Sequence, residues 1–185
     1  MGNDDGSGDG AEHLGVGTIS ARARTVKASA APGPAVLEIG HAMAITLETS
    51  RLALRPLGRG DLADLVALDR DPEVMRYLSG RGRSRDEAIS SHERRMALAT
   101  KVDGLGFWMA FSSEDGEAPP HDETHGEFVG LMMLPPAHGP DQPDDPTVCD
   151  LGYRVLRRHW RRGFASEASR VLLQHAFDTV GQSRV

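Results

Sequence analysis

Val148-Cys149-Asp150-Leu151-Gly152-Tyr153-Arg154-Val155, followed by Leu156-Arg157-Arg158-His159-Trp160-Arg161-Arg162-Gly163 and then by Phe164 to about Val180, is the stretch whose reading decides the fold. Cys149, Leu151, Tyr153 and Val155 alternate with Val148, Asp150, Gly152 and Arg154, the two-residue period of a strand. The next eight residues form a basic turn, with Arg157, Arg158, Arg161 and Arg162 in a chain of formal net charge -6. Then the period changes. Ala165, Ala168, Val171, Leu172, Ala176 and Val180 recur at three- and four-residue steps, which is one face of a helix.

A strand, a glycine and a helix start in that order suit an anion. The first N–H groups of a helix have no partner inside it, and the macrodipole places partial positive charge there. Gly163 lets the backbone approach a bulky ligand, for which phosphate or pyrophosphate is the natural guest. The same residues taken alone also describe a basic, solvated connection.

Residue order narrows the choice. Trp160-Arg161-Arg162-Gly163-Phe164-Ala165-Ser166-Glu167-Ala168 resembles the acetyl-CoA loop and helix start of the GCN5-related N-acetyltransferases. The nearest branch is the one that includes the ribosomal-protein N-terminal acetyltransferases. Asp150-Leu151-Gly152-Tyr153 resembles the strand that precedes that loop. Glu48-Thr49-Ser50-Arg51-Leu52-Ala53-Leu54-Arg55-Pro56 and Asp71-Pro72-Glu73-Val74-Met75-Arg76-Tyr77-Leu78 match earlier pieces in the right order.

The resemblance implies an α/β acyl-CoA N-acyltransferase fold, a largely antiparallel central sheet with flanking helices. It implies direct transfer of an acetyl group from acetyl-CoA to a primary amine, either a protein N-terminus or a small molecule. Tyr153, Arg154 and Val155 would supply a strand edge for the pantetheine, with an irregularity at Gly152. Arg161, Arg162, Gly163, Phe164 and Ala165 would offer main-chain donors to the pyrophosphate, and Ser166 a hydroxyl. Trp160 and Arg161 depart from members outside this branch, many of which carry Arg or Gln and Gly there.

Asp150 is the candidate base; a strand carboxylate paired with an arginine is its competing role. Glu167 is expected to match the helix dipole, and Cys149 to be a small core residue. A non-catalytic module binding CoA or another phosphate ligand is the alternative function. The resemblance also implies a further strand, a helix and a closing strand pair after Val185. The expectation is therefore a domain incomplete at its C-terminus, an inactive truncated product when alone.

Composition sets the remaining bounds. A chain of 185 residues with 39% hydrophobic content suits one domain. The single cysteine excludes an intramolecular disulfide and fits a reducing cytoplasm. No apolar run approaches the roughly 18 residues that span a bilayer. The acidic balance argues against nucleic acid, although Trp160 and Phe164 stand among the arginines.

Along the chain, residues 1–42 are Gly-, Ala-, Ser- and Asp-rich without periodicity, and are expected to be a disordered extension. Met43 opens the patterned region, 43–185, and is a candidate start. Ile45 to Leu57 is expected to be one strand ended by Pro56. Asp61 is expected to cap a helix carrying Leu62, Leu65, Val66 and Leu68. Asp71 and Pro72 predict a short helix burying Val74, Tyr77 and Leu78, with Tyr77 also a possible substrate contact by resemblance. Ser84 and Glu87 form a capping box for a third helix, with Ile89, Met96, Leu98 and Val102 on its apolar face and Glu93, Arg94 and Arg95 solvated. Phe107–Phe111 and Glu127–Leu134 are the next strands, the latter central because it is apolar on both faces. The acidic loop 112–126 holds His121 and His125 in no metal-binding spacing. Gly181 should end the last helix, with Ser183-Arg184-Val185 starting another strand.

Overall fold

The computed structural model describes residues 45–112, 126–139, 142 and 145–185. The expectations for residues 1–42, for Met43 and for nearly all of the acidic loop at 112–126 lie outside these residues. Strands β1 (Leu47–Glu48), β2 (Ala53–Pro56), β3 (Gly106–Ser112), β4 (Glu127–Leu134) and β5 (Gly152–Val155) form one sheet in chain order. Every neighbouring pair is antiparallel. Helices α1 (Leu62–Arg70) and α2 (Arg85–Leu98) follow β2, and α3 (Phe164–Gln174) follows β5.

Strand alternation sorts the core into two layers. Trp108, Ala110, Met132 and Leu134 meet Phe164, Ala168, Leu172 and Ala176 of the α3 segment. Phe107, Met109, Phe128 and Leu131 meet Leu65 and Leu68 of α1. Each such large side chain contributes roughly 1.5–3 kcal/mol on burial. β4 lies between β3 and β5, as its two apolar faces require. Cys149 is buried within the α3-side layer, as expected.

Several expectations need correction. The first strand is a hairpin rather than one run. Thr49 turns the chain, its N–H donating to the Leu52 carbonyl (2.9 Å) while its hydroxyl accepts from the Leu52 N–H (2.9 Å). Asp61 precedes α1 but does not cap it through its side chain. Its carboxylate instead accepts from the Gly58 N–H (2.7 Å) and from both terminal nitrogens of Arg55 (2.9 and 2.6 Å).

Residues 72–79 are successive turns, not a helix. The Met75 carbonyl gathers the N–H groups of Leu78, Ser79 and Gly80. Met75 therefore faces inward, fully buried, while Tyr77 and Leu78 are 89% and 61% exposed. The capping box forms as expected, Glu87 N–H donating to Ser84 Oγ (3.2 Å) and Ser84 N–H to Glu87 Oε2 (2.8 Å). Arg95, however, is buried rather than solvated. It reaches Asp69, which also holds Arg83 (3.1 Å) and, from β5, Arg154.

β5 carries no irregularity at Gly152. Its register with β4 runs unbroken, and the bulge of the sheet lies between β3 and β4, at Ala110 and Phe111. A Cβ at Gly152 would meet the Met133 methyl at 2.9 Å, so the flexible end of Met133 would have to shift. α3 continues as a π-helical turn over His175–Val180 and ends at Gly181, φ 79°. Arg184 then forms a parallel bridge with Val148, the start of the expected next pairing.

Candidate functional site

A cleft of about 480 Å³ opens where the outer edge of β5 meets the N-terminus of α3. The α3 end supplies an array of unpaired donors. The first helical bond is Glu167 N–H to the Gly163 carbonyl (3.0 Å). The N–H groups from Arg161 to Ser166 have no acceptor among the described residues. Gly163 at φ 81° and Arg161 at φ 60° are both left-handed, and Arg161 is the one described non-glycine residue in that region. Left-handed residues beside right-handed ones turn successive amides to one side, making an anion nest. Helix dipole and amides then favour the same guest, a multiply charged anion.

The β5 edge supplies the second half. Leu156 N–H donates to the Val129 carbonyl (2.9 Å) and Asp150 N–H to the Pro135 carbonyl (2.9 Å). Antiparallel alternation therefore turns the main-chain groups of Tyr153 and Val155 away from β4. The Val155 carbonyl is taken by the Trp160 indole N–H (2.7 Å). The N–H groups of Tyr153 and Val155 have no acceptor among the described residues. Nearer the start of the segment the same edge is covered, Cys149 N–H donating to the Arg184 carbonyl (3.1 Å). The opening thus begins where that cover stops.

The expected residues divide accordingly. Tyr153, Val155, Arg161, Gly163, Phe164, Ala165 and Ser166 line the cleft. Arg154 also borders it, but its guanidinium is buried below the 72–79 turns, against Asp69 and 3.6 Å from the Met75 sulfur. Arg162 stands beside the cleft, its side chain over the Phe164 ring (4.8 Å) and 3.1 Å from His159 Nδ1. Asp150 is not among the lining residues. Its carboxylate accepts from Gln142 Nε2 (2.7 Å) and lies 3.7 Å from His138 Nδ1, and no arginine among the described residues pairs with it.

Val74, Tyr77 and Leu78 form the opposite lip; Val74 also packs, partly buried, against the α1-side layer as expected, whereas Tyr77 and Leu78 face outward. Trp160 and buried His159 complete the wall. Burial lowers the His159 pKa, outweighing the attraction of Glu127. Burial pushes the Cys149 thiol up to about 11, with Asp150 adding to it, so Cys149 is a protonated core residue at neutral pH. No carboxylate lines the cleft among the described residues. No group of His, Cys, Asp and Glu there could hold a metal ion, and no described helix is long and apolar enough to cross a membrane.

The chain is similar to known proteins in sequence and in fold. The family model for an acetyltransferase (GNAT) domain matches residues 51–185. An FsC-acetyl coenzyme A-N(2)-transacetylase of Aspergillus fumigatus is 37% identical over 143 residues, 76% of this chain and 56% of that protein. An uncharacterised protein of Bacillus subtilis is 33% identical over 135 residues, 71% of this chain and 68% of its own. Among solved structures, an acetyltransferase from Agrobacterium tumefaciens superposes with a TM-score of 0.54 at 26% identity, covering 80% of this chain and 73% of the other. The chain spans little more than half the length of the Aspergillus relative, and about two thirds of the Bacillus one.

Proposed function

The chain belongs to the GNAT acetyltransferase family, and from that premise we propose that it transfers an acetyl group from acetyl-CoA to a primary amine by direct attack on the thioester. The observation that carries this reading is the junction of an amide nest at α3 with an open strand edge at β5. The nest suits a diphosphate. The edge suits an extended, amide-bearing chain, which would pair with Tyr153 and Val155 as a short strand does. Acetyl-CoA contains both parts in that order. The name of the Aspergillus relative supports acetyl-CoA as donor and a nitrogen as acceptor atom.

Catalysis would rest on three contributions. The nest and edge hold the donor in one orientation, converting encounter into an intramolecular approach. An N–H of the β5 edge, aimed at the thioester carbonyl, stabilises the oxyanion of the tetrahedral intermediate. The amine must arrive neutral, which needs a base. Asp150 is the residue carried forward for that role, reaching the amine through water. The acceptor, a protein N-terminus or a small amine, would enter past Tyr77, Leu78 and Val74. A reducing cytoplasm is the proposed location, the one thiol of the chain being buried.

Calorimetry with CoA at physiological salt, followed by thiol release from acetyl-CoA across a panel of amines, tests the proposal. The expected result is CoA binding and amine-dependent thiol release. CoA binding with no transfer to any amine would select a non-catalytic binding role instead. Failure to bind CoA would overturn both. Asp150→Asn should slow turnover and change its pH profile; unchanged kinetics would remove Asp150 as base.

A further inference from the structure

The turn between β1 and β2 closes on a single carboxylate, Glu167, in the first turn of α3. Glu167 Oε1 accepts from Thr49 Oγ1 (2.5 Å), Ser50 Oγ (3.2 Å) and the Arg51 N–H (3.1 Å). Oε2 accepts from Arg51 Nε (2.7 Å) and Nη2 (2.6 Å). The same guanidinium does not stop there. Its Nη1 donates to the Arg162 carbonyl (3.0 Å), and its central carbon lies 4.8 Å from the centre of the Phe164 ring. Nη2 stands 3.4 Å from where a Cβ on Gly163 would be. Arg51 therefore touches Arg162 and Phe164, the two residues that flank Gly163 in the amide nest.

Glu167 poses an electrostatic problem that this contact solves. A carboxylate in the first turn suits the helix dipole, but it stands beside amides arranged for an anion. An uncompensated negative charge there would repel the guest. We propose that Arg51 and Glu167 are a matched pair of positioning residues: Arg51 holds residues 162–164 so that the nest amides converge, and cancels the Glu167 charge so that a diphosphate can dock. This rests on the nest being the diphosphate site of the donor.

The two-part role predicts a pattern that simple structural support does not. Arg51→Ala leaves Glu167 charged and the loop untied. Removing the charge as well, in Arg51→Ala/Glu167→Gln, should restore part of the affinity. A pair acting only as a brace would give a double variant at least as weak as the single one.

The test is calorimetric titration of CoA into the full chain and its variants at one fixed salt concentration. Arg51→Ala should weaken binding about tenfold, the worth of one hydrogen bond to a charged group. The double variant should recover about threefold of that loss. Arg51→Lys should stay weaker than the parent, because one ammonium cannot bridge both Glu167 and the Arg162 carbonyl. Turnover at saturating acetyl-CoA should change much less than its KM. A double variant no tighter than Arg51→Ala, or an Arg51→Ala chain that binds CoA normally, overturns the proposal.

If the parent chain binds no CoA, the donor reading and the charge-cancelling role fall together. The loop-holding role is then judged separately by hydrogen exchange over residues 160–167. Faster exchange in Arg51→Ala at unchanged melting temperature supports it, and unchanged exchange overturns it. Should Arg51→Ala not fold, Arg51→Lys and Glu167→Gln carry the same exchange comparison.

Discussion

Asp69→Asn removes the one negative charge from a place water does not reach. The Asp69 side chain is fully buried, and Arg154, Arg95 and Arg83 all converge on it. Arg83 keeps 24% of its side chain exposed and is partly hydrated, whereas Arg95 and Arg154 keep 7% and 6%. Burial, then the charge of Arg154, already lowers the Arg95 pKa to about 10, and burial lowers that of Arg154 too. The asparagine would preserve shape and leave two buried cations facing each other. Losing one partner of such a cluster costs about 3–5 kcal/mol. Against a typical total of about 5–15 kcal/mol, that is a large fraction. At roughly 2–4 °C per kcal/mol for a chain of this size, the melting temperature should fall by about 10 °C. Urea unfolding followed by circular dichroism reads the change directly, with an unchanged slope marking a change in stability alone. Asp69→Leu combined with Arg95→Met and Arg154→Met should recover most of the loss, because apolar replacement of a whole buried cluster is nearly neutral. A loss in Asp69→Asn below about 1 kcal/mol would refute the reasoning, since it would mean that solvent screens the cluster.

Gly130→Ala should be among the most damaging small changes: its Cβ would fall 2.2 Å from the Arg154 carbonyl oxygen and 2.9 Å from Val155 Cα. β5 would have to move off β4, so loss of soluble expression or of several kcal/mol in urea unfolding is expected. Tyr77→Ala should leave stability within about 0.5 kcal/mol because the side chain is exposed, while raising the KM for the acceptor; an unchanged KM would place the acceptor elsewhere. Burial raises the Glu167 pKa, but the bonds from Thr49 and Arg51 outweigh it and hold the carboxyl below the usual range. A carboxyl depressed on folding adds stability above its unfolded pKa, about 4.3, and loses it as pH falls through the folded value. Acid melting curves of Glu167→Gln should therefore lack part of the parent's decline below about pH 4.3.

The β5–α3 unit was legible because its signals are local. A two-residue period gives way to a helical one across Gly163, and that glycine does adopt the left-handed geometry. The Ser84–Glu87 box and the Gly181 terminus were legible for the same reason. What escaped depends on distant partners. Asp69 meets residues 14, 26 and 85 positions away, and no window of sequence shows that convergence. Arg95 looked solvated because Glu93 and Arg94 beside it are. Tyr77 was misplaced because the segment after Pro72 forms turns; without a helical repeat, Met75 goes inward while Arg76, Tyr77 and Leu78 stay exposed. Glu167 was recognised as a first-turn carboxylate, but its other partners lie 116 to 118 residues earlier.

The half-covered rim of β5 has a consequence for handling the protein. Unpaired strand amides recruit any extended backbone that reaches them, and another copy of this rim offers one. The proposed CoA ligand and a neighbouring molecule would compete for the same few hydrogen bonds. A preparation saturated with CoA should therefore stay monodisperse at concentrations where the empty protein begins to clump.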